Sequence, residues 1–440
     1  MAQQPPRTRL EQRMQEKHLT LREFIATFHE VSKRAGKPTH VSDRQAKRWI
    51  SGTSDAPRAD ARRVLERWWG EPVATLLSPP SLEVESVTTN PKEMVMAAGR
   101  ESVEHAIQAA SALDPSALEQ LHAEAQRAAR AYYVTPPLHL LGDLVRLRNT
   151  VYRQLDRTHK PRQQAELYLI AGQVCGLLSS VSWDLGHPDV AEEQARAAHT
   201  YGSVIEHSSL QAWARALQVT ITFWSGRPRQ AAALAAAALD TAPDGTARAR
   251  LHSVHARALA LLGARQEVAV ALALADEELD RAGQDPFLDE TGGELGFDRS
   301  RRALCAGAAY VSLADGERAE AEATAALNLF VTTPAASKWA AGALSARVDL
   351  GAARTIRGDL AGAEDALAEV FALDPEYRTE ALNLRLLNLG HMLGGTRFRG
   401  AVEAGRLGER IEDFAALSPA RSSTRPAITN GGYRSSPVMP

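Results

Sequence analysis

Apolar residues recur at helical spacing along nearly the whole chain. Near the start, Leu21, Phe24, Ile25, Phe28, Val31 and Ala35 share one face of a helix, because positions three and four apart lie on the same side. Thr20 opens this run with Glu23 three residues on, and Ser42 opens the next with Gln45 three residues on. Each pair is a capping box, in which two side chains satisfy backbone N–H groups at a helix start. Val41 and Ala46 stand where a hydrophobic staple forms. The pattern predicts four helices in the head, over residues 8–17, 20–35, 42–51 and 59–69, with Val64, Leu65 and Trp68 facing inward on the last. Trp49 is expected in the core, because Lys47 and Arg48 take the outer face of its helix. The stretch 78–93 carries three prolines and no helical period, and reads as a linker. Residues 94–417 are helical almost without interruption, and 418–440, rich in Ser, Pro and Arg, read as a disordered tail. The head is thus 1–77 and the body 94–417.

Composition sharpens the class. Of 440 residues, 44% are hydrophobic and only 5% aromatic. Alanine is frequent and strand-favouring aromatics are scarce, which points to an all-α fold. No run approaches 18 uninterrupted apolar residues, so no transmembrane helix is expected. The first residues lack a secretory pattern. Cys175 and Cys305 are the two cysteines, which excludes a disulfide framework and fits a reducing cytoplasm. Charge is uneven: residues 1–80 hold 15 Lys and Arg against nine Asp and Glu, whereas the whole chain holds 51 against 53. A basic head on an acidic body suggests that the head alone meets a polyanion.

The body repeats itself. Gly186, Gly226, Gly263, Gly316 and Gly358 each separate two helical runs, 37 to 53 residues apart. Ala191, Ala231, Ala321 and Ala363 follow five residues after a glycine, with Val268 in the remaining place. Ala198, Ala238 and Ala275 follow twelve residues after one. Small residues there let antiparallel helices approach closely. Pro243 and Pro375 stand where a second helix should stop. The best unit is GDLAGAEDALAEVFALDP, 358–375. This pattern resembles the tetratricopeptide repeat (TPR), a helix–turn–helix unit of about 34 residues, over roughly 165–417. Residues 283–298 look like an inserted loop. The resemblance implies a superhelix with a concave face; a plain bundle of long helices is the competing reading.

In the head, six cations and one acid, Asp43, lie between Lys33 and Arg48. Arg44 and Gln45 sit in the first turn after Ser42, where a helix entering the major groove meets base edges; Arg pairs with guanine and Gln with adenine. Lys47 and Arg48 lie a turn on, and Lys33, Arg34 and Lys37 flank the preceding turn, suited to phosphates. The stretch VSDRQAKRWISGTSDAPRADARRVLERWWG resembles a helix-turn-helix domain of the XRE (phage-repressor-like) class, matching at Ser42, Trp49, Gly52, Pro57 and Leu65. It departs in a long second helix and a long turn. Head and body together resemble actinobacterial transcriptional regulators, which implies a DNA-binding protein tied to secondary metabolism or development. The expected architecture is an all-α, small helix-turn-helix head followed by a TPR-like α-solenoid of about six hairpins.

No phosphate loop, dinucleotide fingerprint, HExxH or GxSxG occurs, so no enzyme and no cofactor is expected. His252 and His255 lie three apart without further ligands nearby, and no metal site is read from them. The TPR resemblance implies that first helices line the groove. It places Gln173, Ser180, Trp183, Trp213, Thr220, Arg250 and Arg257 there, with Gly176, Ala216, Phe223, Ser253 and Ala260 between them. Such a wall would hold an extended peptide or an acidic small-molecule effector, unless its aromatics pack between repeats. Expected partners are double-stranded DNA, a second copy of the chain and that effector, with no membrane. The rivals are a TPR adaptor whose head is a basic cap, without sequence-specific DNA binding, and an enzyme with a site hidden in the body.

Overall fold

A computed structural model of the chain describes residues 6–34, 38–53, 57–80, 91–109, 113–332 and 339–419, and the side chains of α6 only over 95–105. Among the described residues every regular element is a helix, so the fold is all-α. The chain divides into two compact units, residues 1–97 and 98–440.

The first unit holds α1 (Arg9–Glu16), α2 (Leu21–Arg34), α3 (Asp43–Ile50), α4 (Ala59–Trp69) and α5 (Val73–Leu77). Both expected capping boxes form, Thr20 with Glu23 and Ser42 with Gln45. Leu10, Phe24, Phe28, Val41, Ala46, Trp49, Val64, Leu65, Val73 and Leu76 close one core. Thr8 caps α1 and donates to the Ile50 carbonyl at 2.7 Å, joining the first helix to the end of the third. Sequence periodicity misses α5. It is only five residues long, and it forms because Gly70 turns the chain through a left-handed φ of 71° and brings Val73 and Leu76 into the core. Trp68 lies partly buried beside Phe24, while Trp69 is the more enclosed of the pair.

The second unit contains α7 (Pro115–Ala131), α8 (Pro137–Leu155), α9 (Pro161–Asp184), α10 (Pro188–Val204), α11 (Ser208–Trp224), α12 (Pro228–Leu239), α13 (Thr246–Leu261), α14 (Arg265–Leu279), α15 (Arg299–Ser312), α16 (Gly316–Thr332), α17 (Ala340–Arg357), α18 (Leu360–Phe371), α19 (Glu380–Leu393) and α20 (Val402–Ala416). Helix α6 (Pro91–Ala109) spans the boundary between the units. It begins before residue 93, so the stretch read as a linker is shorter at that end. Residues 81–90, and the expected tail over 420–440, lie outside the described residues. Among the described residues six helices, α6 to α10 and α12, start on a proline. Its ring suits the first helical position, where no N–H partner is needed.

From α9 onward, helices pack in successive antiparallel pairs. The first helices α9, α11, α13, α15, α17 and α19 also touch one another in turn, and α19 reaches back to α9. The helices therefore close around an interior space. Helix α9 is long and apolar enough to cross a membrane by length and composition, but 78% of its apolar window is buried within the fold. It is the central core helix.

Two turn expectations are corrected. Between α15 and α16 the left-handed residue is Ala314, φ 54°, not Gly316. Counting five on from Ala314 gives Ala319, which is buried, whereas Ala321 is exposed. Gly316 serves close approach instead: a Cβ there would lie 2.8 Å from Arg357 Cγ and 3.0 Å from the Ala353 carbonyl oxygen. The segment 283–298, read as an inserted loop, carries one π-helical turn, Pro286–Glu290, between α14 and α15. Leu288, Leu295 and Phe297 are buried in it.

Candidate functional site

Helix α3 presents one face to the core and one to solvent. Ala46 and Trp49 are buried, while Asp43, Arg44, Gln45, Lys47 and Arg48 are exposed. Arg44, Lys47 and Arg48 make no ion pair among the described residues. Ser42 Oγ accepts the Gln45 N–H at 3.3 Å, and Gln45 Oε1 accepts the Ser42 N–H at 3.3 Å. The Gln45 side-chain oxygen is thus engaged by the cap, leaving its amide NH2 for a partner. The start of α3 is held by α2: Ser32 Oγ accepts the Thr39 N–H, and His29 Nε2 accepts the Val41 N–H at 3.1 Å. Burial and the neighbouring His40 lower the pKa of His29, which keeps Nε2 free to accept. Lys33 and Arg34 are exposed at the end of α2, and Lys33 lies 3.7 Å from Glu30. Lys37 lies outside the described residues.

The interior of the body holds a cavity of about 410 Å³. Its wall draws on the turn 132–135 between α7 and α8, on α8, α9, α11, α13, α15, α17 and α19, and on the insertion 283–298. The insertion is built in by arginines and a close backbone approach. Arg130 donates to the carbonyls of Thr291 and Glu290 at 2.9 and 3.0 Å. Arg250 donates to those of Glu294, Leu295 and Gly296 at 2.9, 2.9 and 2.6 Å. The Glu294 N–H donates to the Ala129 carbonyl at 3.0 Å. A Cβ on Gly293 would lie 2.2 Å from that same carbonyl oxygen, so only glycine fits there.

One group of polar side chains in the wall is mutually satisfied. The Tyr132 hydroxyl donates to Asp184 at 2.6 Å, Ser180 donates to Glu294 at 3.1 Å, and Arg301 meets Glu294 at 3.1 Å and Tyr133 at 2.6 Å. Burial pushes Asp184 up to about 7, against the Tyr132 hydrogen bond and with help from the Glu294 charge. Burial opposes the charge on Arg301, but Tyr133 and Glu294 hold it above its ordinary value. A second group is aromatic and cationic. Trp183 stacks on Trp224 with centroids 6.4 Å apart. Arg257 lies 4.5 Å from the Phe223 centroid and 5.0 Å from that of Trp224. Arg385, 5.8 Å from Trp224, grips the buried Asp349 at 2.6 and 2.7 Å.

The cavity brings together Ser180, Trp183, Thr220, Arg250 and Arg257 from the expected groove. Gln173 and Trp213 do not line it. Trp213 is 1% exposed and fills the notch left by Gly176, where a Cβ would sit 2.2 Å from the indole; it is a packing residue between α9 and α11. Gln173 lines a separate, more polar cavity with His122, His207 and Phe287. Sequence reasoning missed Asp184 and Trp224, which stand two residues before Gly186 and Gly226. The same offset before two turn glycines was a usable signal. It also missed Glu294, although the apolar residues around it argued against a solvated loop. Among the described residues no three His, Cys, Asp or Glu side chains gather to hold a metal ion. Compared with known proteins, the chain matches no family profile and no curated protein sequence.

Proposed function

We propose that this chain is a DNA-binding transcriptional regulator, its head reading a DNA site through α3 and its body sensing an effector in the central cavity. The observation that carries the reading is the outer face of α3, where Arg44, Lys47 and Arg48 stand exposed, with no ion pair among the described residues, on a helix anchored by Trp49. A capped helix start of this kind suits the major groove. Arg44 is placed for a base edge, and Lys47, Arg48, Lys33 and Arg34 for phosphates. The XRE-like and TPR-like sequence patterns favour the same reading and add control of secondary metabolism or development. One small head covers one half-site, so a homodimer on two related half-sites belongs to the proposal. A regulator of this kind works in the cytoplasm. The body is read as a binding part, with no reaction assigned to it.

The test is recovery and sequencing of genomic fragments bound by the full-length protein, followed by gel shift on the recovered site at several salt concentrations. A recurring motif with two related half-sites and a steep salt dependence is expected. Absence of any enriched motif would favour a scaffold that joins proteins.

A further inference from the structure

Among the described residues, the cavity wall contains one guanidinium with no hydrogen-bond or ion-pair partner. Four guanidinium groups reach it, from Arg250, Arg257, Arg301 and Arg385. Arg250 is engaged by three backbone carbonyls, Arg301 by Glu294, and Arg385 by Asp349. Arg257 makes no hydrogen bond and no ion pair among the described residues. Its ring contacts with Phe223 and Trp224 favour a cation but leave its N–H donors without acceptors. Burial, with Arg385 adding to it, lowers Arg257 to about 10, so it stays charged at neutral pH. The carboxylate nearest in effect, Asp349, is taken by Arg385. The other acids of the wall, Asp184 and Glu294, are held by Tyr132, Ser180 and Arg301. Arg257 is itself only partly buried and lines the cavity, so its vacant donors are open to whatever occupies that space.

We propose that the cavity binds a compact amphipathic anion, an apolar or aromatic body against Trp183 and Trp224 with one carboxylate or sulfonate on Arg257. One vacant guanidinium calls for one negative charge. The volume of about 410 Å³ suits a small molecule. An extended peptide needs an open groove, and here the insertion occupies the interior while α19 closes on α9. The proposal rests on reading the body as the ligand-binding part of a regulator.

The experiment uses the full-length protein and two probes with the same rings, 1-anilinonaphthalene-8-sulfonate and the neutral N-phenyl-1-naphthylamine. Each is titrated by its own fluorescence and by quenching of the tryptophans. The sulfonate is expected to bind at one saturable site, at least tenfold more tightly than the neutral amine. Arg257→Met should erase that advantage while leaving the neutral amine within twofold. Arg257→Gln keeps a polar head on a shorter stem without the charge and carries the same comparison if Arg257→Met lowers the melting temperature. Sulfonate affinity unchanged by both variants, or equal affinity for both probes, overturns the anion assignment and leaves the ligand-binding reading standing. Failure of both probes to bind overturns the assignment together with that reading. Recovery of DNA by the head is a separate measurement and distinguishes either failure from that of the DNA-binding proposal.

Discussion

Asp184 is a residue whose chemistry departs far from its sequence context. Nothing in SSVSWDLG marks it as special, yet burial raises it to about 7 from the ordinary 3.8. A carboxyl raised in the fold binds its proton more tightly than in the unfolded chain. Its contribution therefore favours folding at low pH and is lost as pH rises through the window from about 4 to about 7. Asp184→Asn should remove this slope, since the amide oxygen still accepts from Tyr132. The difference in melting temperature, variant minus parent, is expected to grow from pH 5 to pH 7 and then level off. A constant difference would mean that Asp184 titrates normally. Arg44 and Lys47 make the complementary case in the head, where both are exposed and their identity is legible. On the recovered DNA site, Arg44→Ala should cost about 1–3 kcal/mol and relax specificity. Lys47→Ala should weaken all sequences alike and flatten the salt dependence. An unchanged binding profile for Arg44→Ala would displace α3 from the groove.

At the scale of elements, starts and stops were well marked because they depend on local chemistry. The Ser42–Gln45 and Thr20–Glu23 boxes and the proline-initiated helices each satisfy or dispense with backbone groups within a few residues. Ser42→Ala should cost about 1 kcal/mol in urea unfolding of the head. Trp49→Ala should cost about 3–5 kcal/mol, because Trp49 sits against Phe28 in the core of that unit; a stable variant with selectively lost DNA affinity would make it a contact residue instead. The turn glycines were also marked, but the register of one pair was not. A left-handed Ala314 was invisible to a search for glycine, and so Ala321 was placed inward in error. Gly176 and Trp213 show why helix-to-helix fit is harder still. Their pairing joins residues 37 positions apart, and only the closeness of α9 and α11 reveals it. Gly176→Ala should cost about 1–3 kcal/mol by overpacking, read by chemical denaturation of the full chain. No loss would show that the indole can move aside.

For the whole molecule, the two units each close a core of their own. The head core is made of residues between Leu10 and Leu76, and Arg9 N–H donates to the Ser78 carbonyl at 2.9 Å. Residues 1–80 alone are expected to be helical by circular dichroism and to melt cooperatively; a noncooperative melt would show that the head needs the rest of the chain. Helical class, the capping of α3 and the alternation of paired helices follow from the sequence by itself. Periodicity, caps and breakers act within one or two turns, and a one-dimensional reading detects them. The cavity was decided only in three dimensions. Its wall joins Tyr132, Asp184, Arg257, Glu294 and Arg385 across seven helices and an insertion. Whether a given arginine there is satisfied by a carbonyl, paired with a carboxylate or left vacant depends on which backbone the tertiary fold brings against it, and no local pattern encodes that.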